Sequence, residues 1–514
     1  MAHLGDASMW YDESFSYLLT QKLSWGEMFH ALRNDVHAPL YFVLLRLWGN
    51  LFGESIVTLR TFSVVSGVMT VGGVYLLTRD LFRTPADDPR KREFYALGSG
   101  GFSALLLALA SSHVRWSQDA KMYSLGTAFV VWGVWCLVRA LQAEDHRAKH
   151  WLAAWALFRT ASLYTHNYAI FTFAAECVVL AVLLLFQSGF RPAELLANRR
   201  SRWVGFAVLS IIVAYSLWVP TLLNQVRRVK ADYWISKVDG WSIPYCLDEL
   251  MFPSVNSSLQ RGRSLIVVAV ICLLCVWLIR QRKWTEWLLM SLILMPIFLA
   301  TTFSVAFASI ATPRYFLFAT VFLPVAASLF LWRSFPFDIC LGASVLLIAN
   351  VGYLHWKFVE SHQYASSQGT RGAAEFAIEK LKEGETLLVT NTGIYSSVQY
   401  YTQGKTVPVL LRSEEDLPHY LGGPVIGTMK EVRTWELDGT PLNELWVISS
   451  TAFAIVPEAH ARLSNEWSQD PDSSRVFKEI YDWQGFVTVE RYTRSVPTDA
   501  DDQHLGHLSR LEAR

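Results

Sequence analysis

Apolar residues fall in long unbroken runs over most of the chain and in short runs near its end. Runs near 60–82, 94–114, 123–142, 151–165, 168–187, 203–220, 264–281, 285–303, 313–332 and 336–356 approach the about 17–25 residues that cross a bilayer as a helix. The run at 151–165 is short and is expected to extend into its flanks. A shorter run at 38–52 carries Arg46 and predicts a surface-lying or re-entrant helix, with a true span as the alternative. From about residue 357 the pattern changes. Residues 371–382 have helical spacing, with Ala373, Phe376, Ile378 and Leu381 apolar,. Residues 386–390, 407–411, 445–449 and 486–490 predict strands,. The expected fold is therefore a mainly α polytopic membrane protein of about 10–11 transmembrane helices with a C-terminal extracytoplasmic α/β domain. Its predicted parts are a membrane domain over 1–356, the α/β domain over 357–496 and a disordered polar tail over 497–514,.

Charge in the loops gives a side to the membrane. Arg83, Arg90, Lys91 and Arg92 share one loop; Arg147 and Lys149, then Arg191, Arg199, Arg200 and Arg202, then Arg280, Arg282 and Lys283, then Arg333 follow in alternate loops. The positive-inside rule makes these cytoplasmic. The other face carries residues 10–16, 115–122, His166-Asn167, a long loop at 221–263 and the C-terminal domain. The long loop holds Arg227, Arg228, Lys230 and Lys237, against the trend, but long loops weigh less in this rule. On this orientation residue 1 lies outside with no preceding span or signal peptide. The expectation is that a first transmembrane helix is missing from the sequence.

Composition agrees. Hydrophobic residues make up 52% of the chain and charged ones 17%; 21 Trp supply interfacial aromatics,. A net charge of +1 leaves no electrostatic footprint for nucleic acid,. The six cysteines form no disulfide framework, and Cys272 and Cys275 sit inside an apolar run where packing is the expected role,. Asn256-Ser257-Ser258 fits a glycosylation sequon, a triplet frequent by chance,.

Polar groups that can carry chemistry recur at the outer ends of the predicted helices. Asp12-Glu13 stands just upstream of the spans. Asn34-Asp35-Val36-His37-Ala38-Pro39-Leu40-Tyr41 follows, then Arg60 at a span entrance and Gln118-Asp119-Ala120-Lys121-Met122-Tyr123 between two spans. His166 occupies a tight outer turn, and Arg314-Tyr315 opens a late span. These groups are scattered along the chain, yet the topology brings each to one face of the membrane.

These stretches resemble the polyprenyl-phosphate-sugar-dependent glycosyltransferases of the C-type fold, and more narrowly the bacterial relatives of protein O-mannosyltransferases and lipid A aminoarabinose transferases. That family carries an Asp-Glu pair in its first outer loop, a His-Pro-Pro-Leu-Tyr stretch, an Arg before a Ser-rich span, a Gln-Glu-Ala-Arg-x-Tyr stretch and a late Arg-Tyr. The resemblance covers roughly residues 10–330. Ala38 replaces the first Pro, Asp119 the Glu and Lys121 the Arg. The last exchange keeps the charge but loses bidentate phosphate geometry.

The resemblance implies a plasma-membrane enzyme with its site on the extracytoplasmic face and a polyprenyl-phosphate sugar as donor. The acceptor is a lipid, a glycan or a protein; sugar and acceptor both stay open. Asp12 is the implied general base, removing the acceptor proton as the hydroxyl attacks C1 with inversion. Glu13 orients the acceptor or raises the basicity of Asp12. Lys121, Arg60 and Arg314 meet the charge of the leaving lipid phosphate, and His37, Tyr41, Asp119, Tyr123, His166 and Tyr315 complete the substrate site. No cofactor is required; a divalent metal is admitted, although the spacing of His37, His166, Asp119 and Glu13 is not a ligand signature. Plainer readings are a solvated Asp12, a surface Asp119–Lys121 pair and an interfacial anchor at Arg314. The rival classes are a transporter or flippase and a non-catalytic scaffold.

Arg159 and Glu176 stand deep inside apolar runs on either side of the turn at 166–167. At about 1.5 Å rise per residue, their depths differ by only about 3 Å. An intramembrane ion pair between antiparallel helices is expected, because charges in a bilayer are usually partnered.

Overall fold

A computed structural model describes residues 4–82, 89–231, 234–253, 260–361, 368–382, 385–412, 431–433, 442–451, 463–480 and 484–494. The expected tail at 497–514 and the sequon at 256–258 lie outside the described residues. The chain divides into two compact units: residues 16–362, and residues 1–15 together with 363–514. The sequence reading placed residues 1–15 with the membrane domain; their contacts group them with the C-terminal residues instead.

In the unit of residues 16–362, seven described helices are long and apolar enough to cross a membrane, or up to nine if two bent pairs each count as one span. The seven are Ile56–Leu81, Tyr123–Gln142, Ala169–Gln187, Gln260–Arg280, Trp284–Ala306, Pro313–Ser334 and Phe337–Ser361. The bent pairs, each turning by 65°, are Arg92–Leu109 with Ser111–Ser117 and Arg199–Ser216 with Val219–Ala231. By length and composition, these described helices are fewer than the expected 10–11. The run at 151–165 does belong to a 21-residue helix, Asp145–Thr165, but Lys149, His150 and Arg159 make it too polar to count by composition. The run at 38–52 forms Leu40–Phe52, 13 residues, or about 20 Å, too short to span a hydrocarbon core of about 30 Å. Its Arg46 donates to the Leu23 carbonyl at 2.7 Å and lies over the Trp25 ring.

The stretch expected as a loop at 221–263 is instead largely helical, through Val219–Ala231 and Ser242–Met251. Leu222, Val226 and Val229 recur at helical spacing, and Pro220 occupies the first turn, where its missing N–H costs nothing,. Small residues let the spans approach closely. A Cβ on Gly67 would fall 2.3 Å from Ser117 Oγ, and one on Gly98 at 2.3 Å from the Trp332 ring.

The expected intramembrane pair is present. Arg159 and Glu176 are fully buried and joined through Nη2 and Oε1. Trp155 Nε1 donates to the second Glu176 oxygen at 3.1 Å, and Arg159 Nη1 to Thr172 at 3.0 Å. The pair is thus hydrogen-bonded as well as charge-matched, as burial demands.

The other unit is built on a six-stranded sheet: β1 Thr386–Val389, β2 Val409–Arg412, β3 Glu431–Arg433, β4 Glu444–Ser450, β5 Trp467–Lys478 and β6 Phe486–Arg494, in the order β3-β2-β1-β4-β6-β5. The first four strands are parallel and the β4–β6–β5 edge is antiparallel. Helices Gly369–Lys380 and Thr392–Tyr401 cover one face. Ala373, Ala377, Tyr395 and Val398 pack there on Leu387, Val389, Leu410 and Ile448. Strands β3 and β5 and helix Thr392–Tyr401 were not expected from the sequence.

Candidate active site

Helix Trp25–Asn34 opens on a capping box: Ser24 Oγ accepts the Glu27 N–H and Glu27 accepts the Ser24 N–H. The chain leaves this helix at Asp35, and Pro39 precedes the next one. The turn between them, Asp35-Val36-His37-Ala38, is held from outside. Gln225 Nε2 donates to the carbonyls of Leu32 and His37, both at 3.1 Å, and Asn167 Nδ2 donates to the Val36 carbonyl at 3.1 Å and to Gln225 Oε1. His37 is thereby fixed, with its Nδ1 on the Asp35 carboxylate.

Lys121 reaches this turn from another element. It lies between helices Ser111–Ser117 and Tyr123–Gln142, and its N–H donates to the Asp119 carbonyl at 2.7 Å. Its side chain is fully buried, with Nζ 3.4 Å from His37 Nε2 and over the Phe42 ring. The result is a carboxylate–imidazole–ammonium chain in which His37 stands between Asp35 and the Lys121 charge. Burial pushes the Asp35 carboxyl up, but His37 and Lys121 outweigh it and hold the group below its ordinary value.

Across the site stands a cluster of rings. His166 contacts Tyr315, Tyr123 and Phe318 with centroids 5.0, 5.6 and 5.1 Å away. Its Nδ1 accepts the Tyr168 N–H at 3.1 Å. Burial, then the charges of His37, Arg314 and Lys121, push its pKa down to about 3. His166 is therefore a neutral ring with its proton on Nε2. The Arg314 guanidinium lies over Trp234, Tyr123 and Tyr315 at 4.8, 5.7 and 5.9 Å, so cation–π contact holds it in place.

Thus His37, Lys121, Tyr123, His166, Arg314 and Tyr315 come together. Tyr41 joins them through Phe42, which its ring meets edge-on at 5.3 Å and which also contacts His37. Asp119 is buried beside Lys121 in sequence. Arg60 is buried too, one turn inside helix Ile56–Leu81 rather than at its entrance. Ser63, one turn further on, donates its hydroxyl to the Lys121 carbonyl at 3.4 Å. Asp12 and Glu13 belong to the other unit, in the first turn of helix Tyr11–Tyr17. Glu13 is fully buried and its carboxylate accepts the Trp10 N–H at 3.5 Å; Asp12 is partly exposed. Neighbouring residues on a helix do not face each other, which favours separate roles for the two carboxylates over direct coupling.

Sequence reasoning missed Asp35, Asn167 and Gln225 as site residues. Asp35 stood in a motif already singled out, two residues before His37. Gln225 carried no signal, since it lies in a stretch expected as loop. Among the described residues, no three His, Cys, Asp or Glu side chains gather as a metal site would require.

Two cavities adjoin this cluster. One, of about 360 Å³, is lined by His37, His166, Asn167, Gln225 and Tyr315 with Val and Phe side chains. The other, of about 540 Å³, has a mainly apolar wall in which Leu, Ile and Val are together the commonest side chains, and touches Tyr123. Tyr123 lines the larger of these two cavities and Tyr315 the smaller, with their ring centroids 6.2 Å apart.

Residues 36–218 match the family model described as dolichyl-phosphate-mannose-protein mannosyltransferase. No curated protein matches the chain. Among solved structures, ArnT from Cupriavidus metallidurans in the apo state superposes with a TM-score of 0.59 at 13% identity, covering 95% of this chain and 94% of that one. ArnT from the same organism bound to undecaprenyl phosphate gives a TM-score of 0.55 at 12% identity, covering 95% of each chain. Residues 36–218 thus carry the signature of the mannosyltransferase family within a chain that has the ArnT fold over nearly its whole length: a membrane glycosyltransferase.

Proposed function

We propose that the chain transfers a sugar from a polyprenyl-phosphate donor to an acceptor hydroxyl at the extracytoplasmic face of the plasma membrane, with inversion at C1. The observation that carries this reading is the placing of two cations around the His166–Tyr123–Tyr315 ring cluster, Lys121 fully buried on His37 and Arg314 half-buried over Tyr123 and Tyr315, with Tyr123 also lining an apolar cavity of about 540 Å³. A lipid phosphate needs both features: fixed positive charge for its oxygens and an apolar wall for its isoprenoid. The solved ArnT complex with undecaprenyl phosphate supports the same class of donor.

In the step proposed, the acceptor oxygen bonds to C1 as the bond from C1 to the phosphate oxygen breaks. The acceptor proton passes to the Asp12 carboxylate, a transfer worth roughly 10²–10⁴-fold in rate. The electron pair leaves on the polyprenyl phosphate, where Lys121 and Arg314, with Arg60 behind them, offset the developing charge. His37 and Asp35 orient Lys121. The cavity of about 360 Å³ beside His37, His166 and Tyr315 is of a size to hold the sugar, with Tyr41, Asp119 and Tyr123 shaping its surroundings. A single displacement inverts C1 and needs no cofactor. The acceptor is a lipid, glycan or protein hydroxyl.

The transport reading loses its main support. Arg159 and Glu176 satisfy each other and line neither cavity. The test is transfer from labelled polyprenyl-phosphate sugars, with the product anomer read by NMR and Asp12→Asn alongside. An inverted product from the wild type, and at least a hundredfold loss in the variant with donor binding kept, agrees with the proposal. A retained anomer or an active Asp12→Asn variant contradicts it.

A further inference from the structure

The unit that contains Asp12 is held together across most of the length of the chain. Residues 4–9 carry no regular helix or strand of their own, yet their backbone is gripped by side chains from beyond residue 368. Arg371 donates through Nη1 to the Gly5 carbonyl at 2.9 Å and through Nη2 to the Asp6 carbonyl at 3.0 Å. Ser8 donates its hydroxyl to the Gln368 carbonyl at 2.7 Å and accepts the Arg371 N–H at 3.2 Å. Met9 is held on both sides of its backbone: its N–H donates to the Tyr401 hydroxyl and its carbonyl accepts the Ser397 hydroxyl, each at 2.8 Å.

The grips are themselves anchored. Gln368 and Arg371 stand at the start of helix Gly369–Lys380, where the buried carboxylate of Glu479, on the segment after β5, accepts the N–H and hydroxyl of Thr370 at 2.8 and 2.7 Å. Gly369 has φ +44°, and a Cβ there would lie 2.0 Å from the Glu479 carboxylate. Ser397 and Tyr401 stand on helix Thr392–Tyr401, which follows β1 and is capped by Asn391. Both helices rest on the sheet, so residues 5–9 are tied to its rigid core.

We propose that the C-terminal α/β unit holds the catalytic turn: Arg371, Ser397 and Tyr401 are positioning residues that fix residues 5–9 and so set where Asp12 stands. This rests on the reading of Asp12 as the base. Asp12 follows Met9 by three residues, and helix Tyr11–Tyr17 starts two residues after it. A floppy lead into that helix would let the carboxylate wander, and a misplacement of about 1 Å can cost on the order of 10²-fold in rate. Rigid support of a reacting group is the general requirement for such a site.

The experiment compares full-length wild type, Ser397→Ala/Tyr401→Phe, Tyr395→Phe and Asp12→Asn in transfer kinetics and in hydrogen exchange of residues 4–15. Tyr395 is the control: its hydroxyl is also buried, on the same helix, but donates to the Pro408 carbonyl at 2.9 Å. The expected result is faster exchange over residues 4–15 and a kcat about tenfold lower in the double variant, with donor KM within twofold. Tyr395→Phe should leave both unchanged, and Ser397→Thr/Tyr401→Phe should recover part of the loss. Wild-type kcat and exchange in the double variant, or an equal loss in Tyr395→Phe, overturns the proposal. An active Asp12→Asn variant overturns the base reading instead, and faster exchange in the double variant still supports the grip itself.

Discussion

The row of side chains from Asp35 through His37 to Lys121 assigns different work to each residue, and substitution should separate them. Lys121→Met removes the charge proposed to meet the leaving phosphate and should lower kcat/KM on the order of 10²–10³-fold. His37→Phe keeps the Lys121 charge but removes the ring nitrogen that Nζ meets, so the loss should be smaller, about tenfold. Steady-state transfer kinetics on both variants checks the order; a His37→Phe loss exceeding that of Lys121→Met would mean that His37 itself touches the reacting atoms. His166 gives a pH signature of another kind. Its pKa is about 3 when folded against an ordinary 6.5, so the unfolded chain binds its proton first. The stability contributed by the neutral ring is fully present above about 6.5 and is lost as pH falls toward about 3,. Thermal unfolding of wild type and His166→Gln at pH 7 and pH 5 should show the gap between them narrowing at the lower pH. Most of these residues were legible in the sequence because their motifs mark the ends of apolar runs. Gln225 and Asn167 act through backbone carbonyls of residues far away in the chain, and no local pattern announces such contacts.

At the scale of elements, the Arg159–Glu176 pair joins two helices that the turn at His166-Asn167 makes antiparallel. Arg159→Glu or Glu176→Arg alone leaves two like charges buried and should cost at least the 3–5 kcal/mol typical of a broken buried pair; the double exchange should recover most of it. Folded yield in detergent and thermal unfolding read this directly, and a double variant no better than the singles would show that the surrounding hydrogen bonds fix the polarity of the pair. Gly67 tests helix approach: Gly67→Ala puts a methyl group against Ser117 and should cost about 1–3 kcal/mol, measurable in the same unfolding assay. The pair was predictable because helical rise converts sequence distance into depth. Strand β5 was not. Its sequence, Trp467–Lys478, is polar, contains Pro471 and shifts register between Asp470 and Arg475. Those are the marks of a sheet edge, where charge, proline and bulges blunt further pairing. Alternation of apolar and polar positions, the signal used to find strands, is absent there for the same reason.

For the whole molecule, the division between membrane helices and a mixed α/β sheet follows from where apolar runs stop, and that much the sequence states plainly. The grouping of residues 1–15 with the C-terminal residues does not follow from any local pattern, because its hydrogen bonds connect positions more than 350 apart. The proposed function rests on Lys121 and Arg314 as the cations that meet a lipid phosphate. The most direct test uses the purified chain in liposomes with labelled sugar presented on polyprenyl phosphate, on a nucleotide, or free outside the vesicle. The account predicts covalent transfer to an acceptor from the polyprenyl-phosphate donor alone, lost in Lys121→Met. Transfer from the nucleotide sugar, or entry of unmodified sugar into the vesicles without transfer, would contradict it.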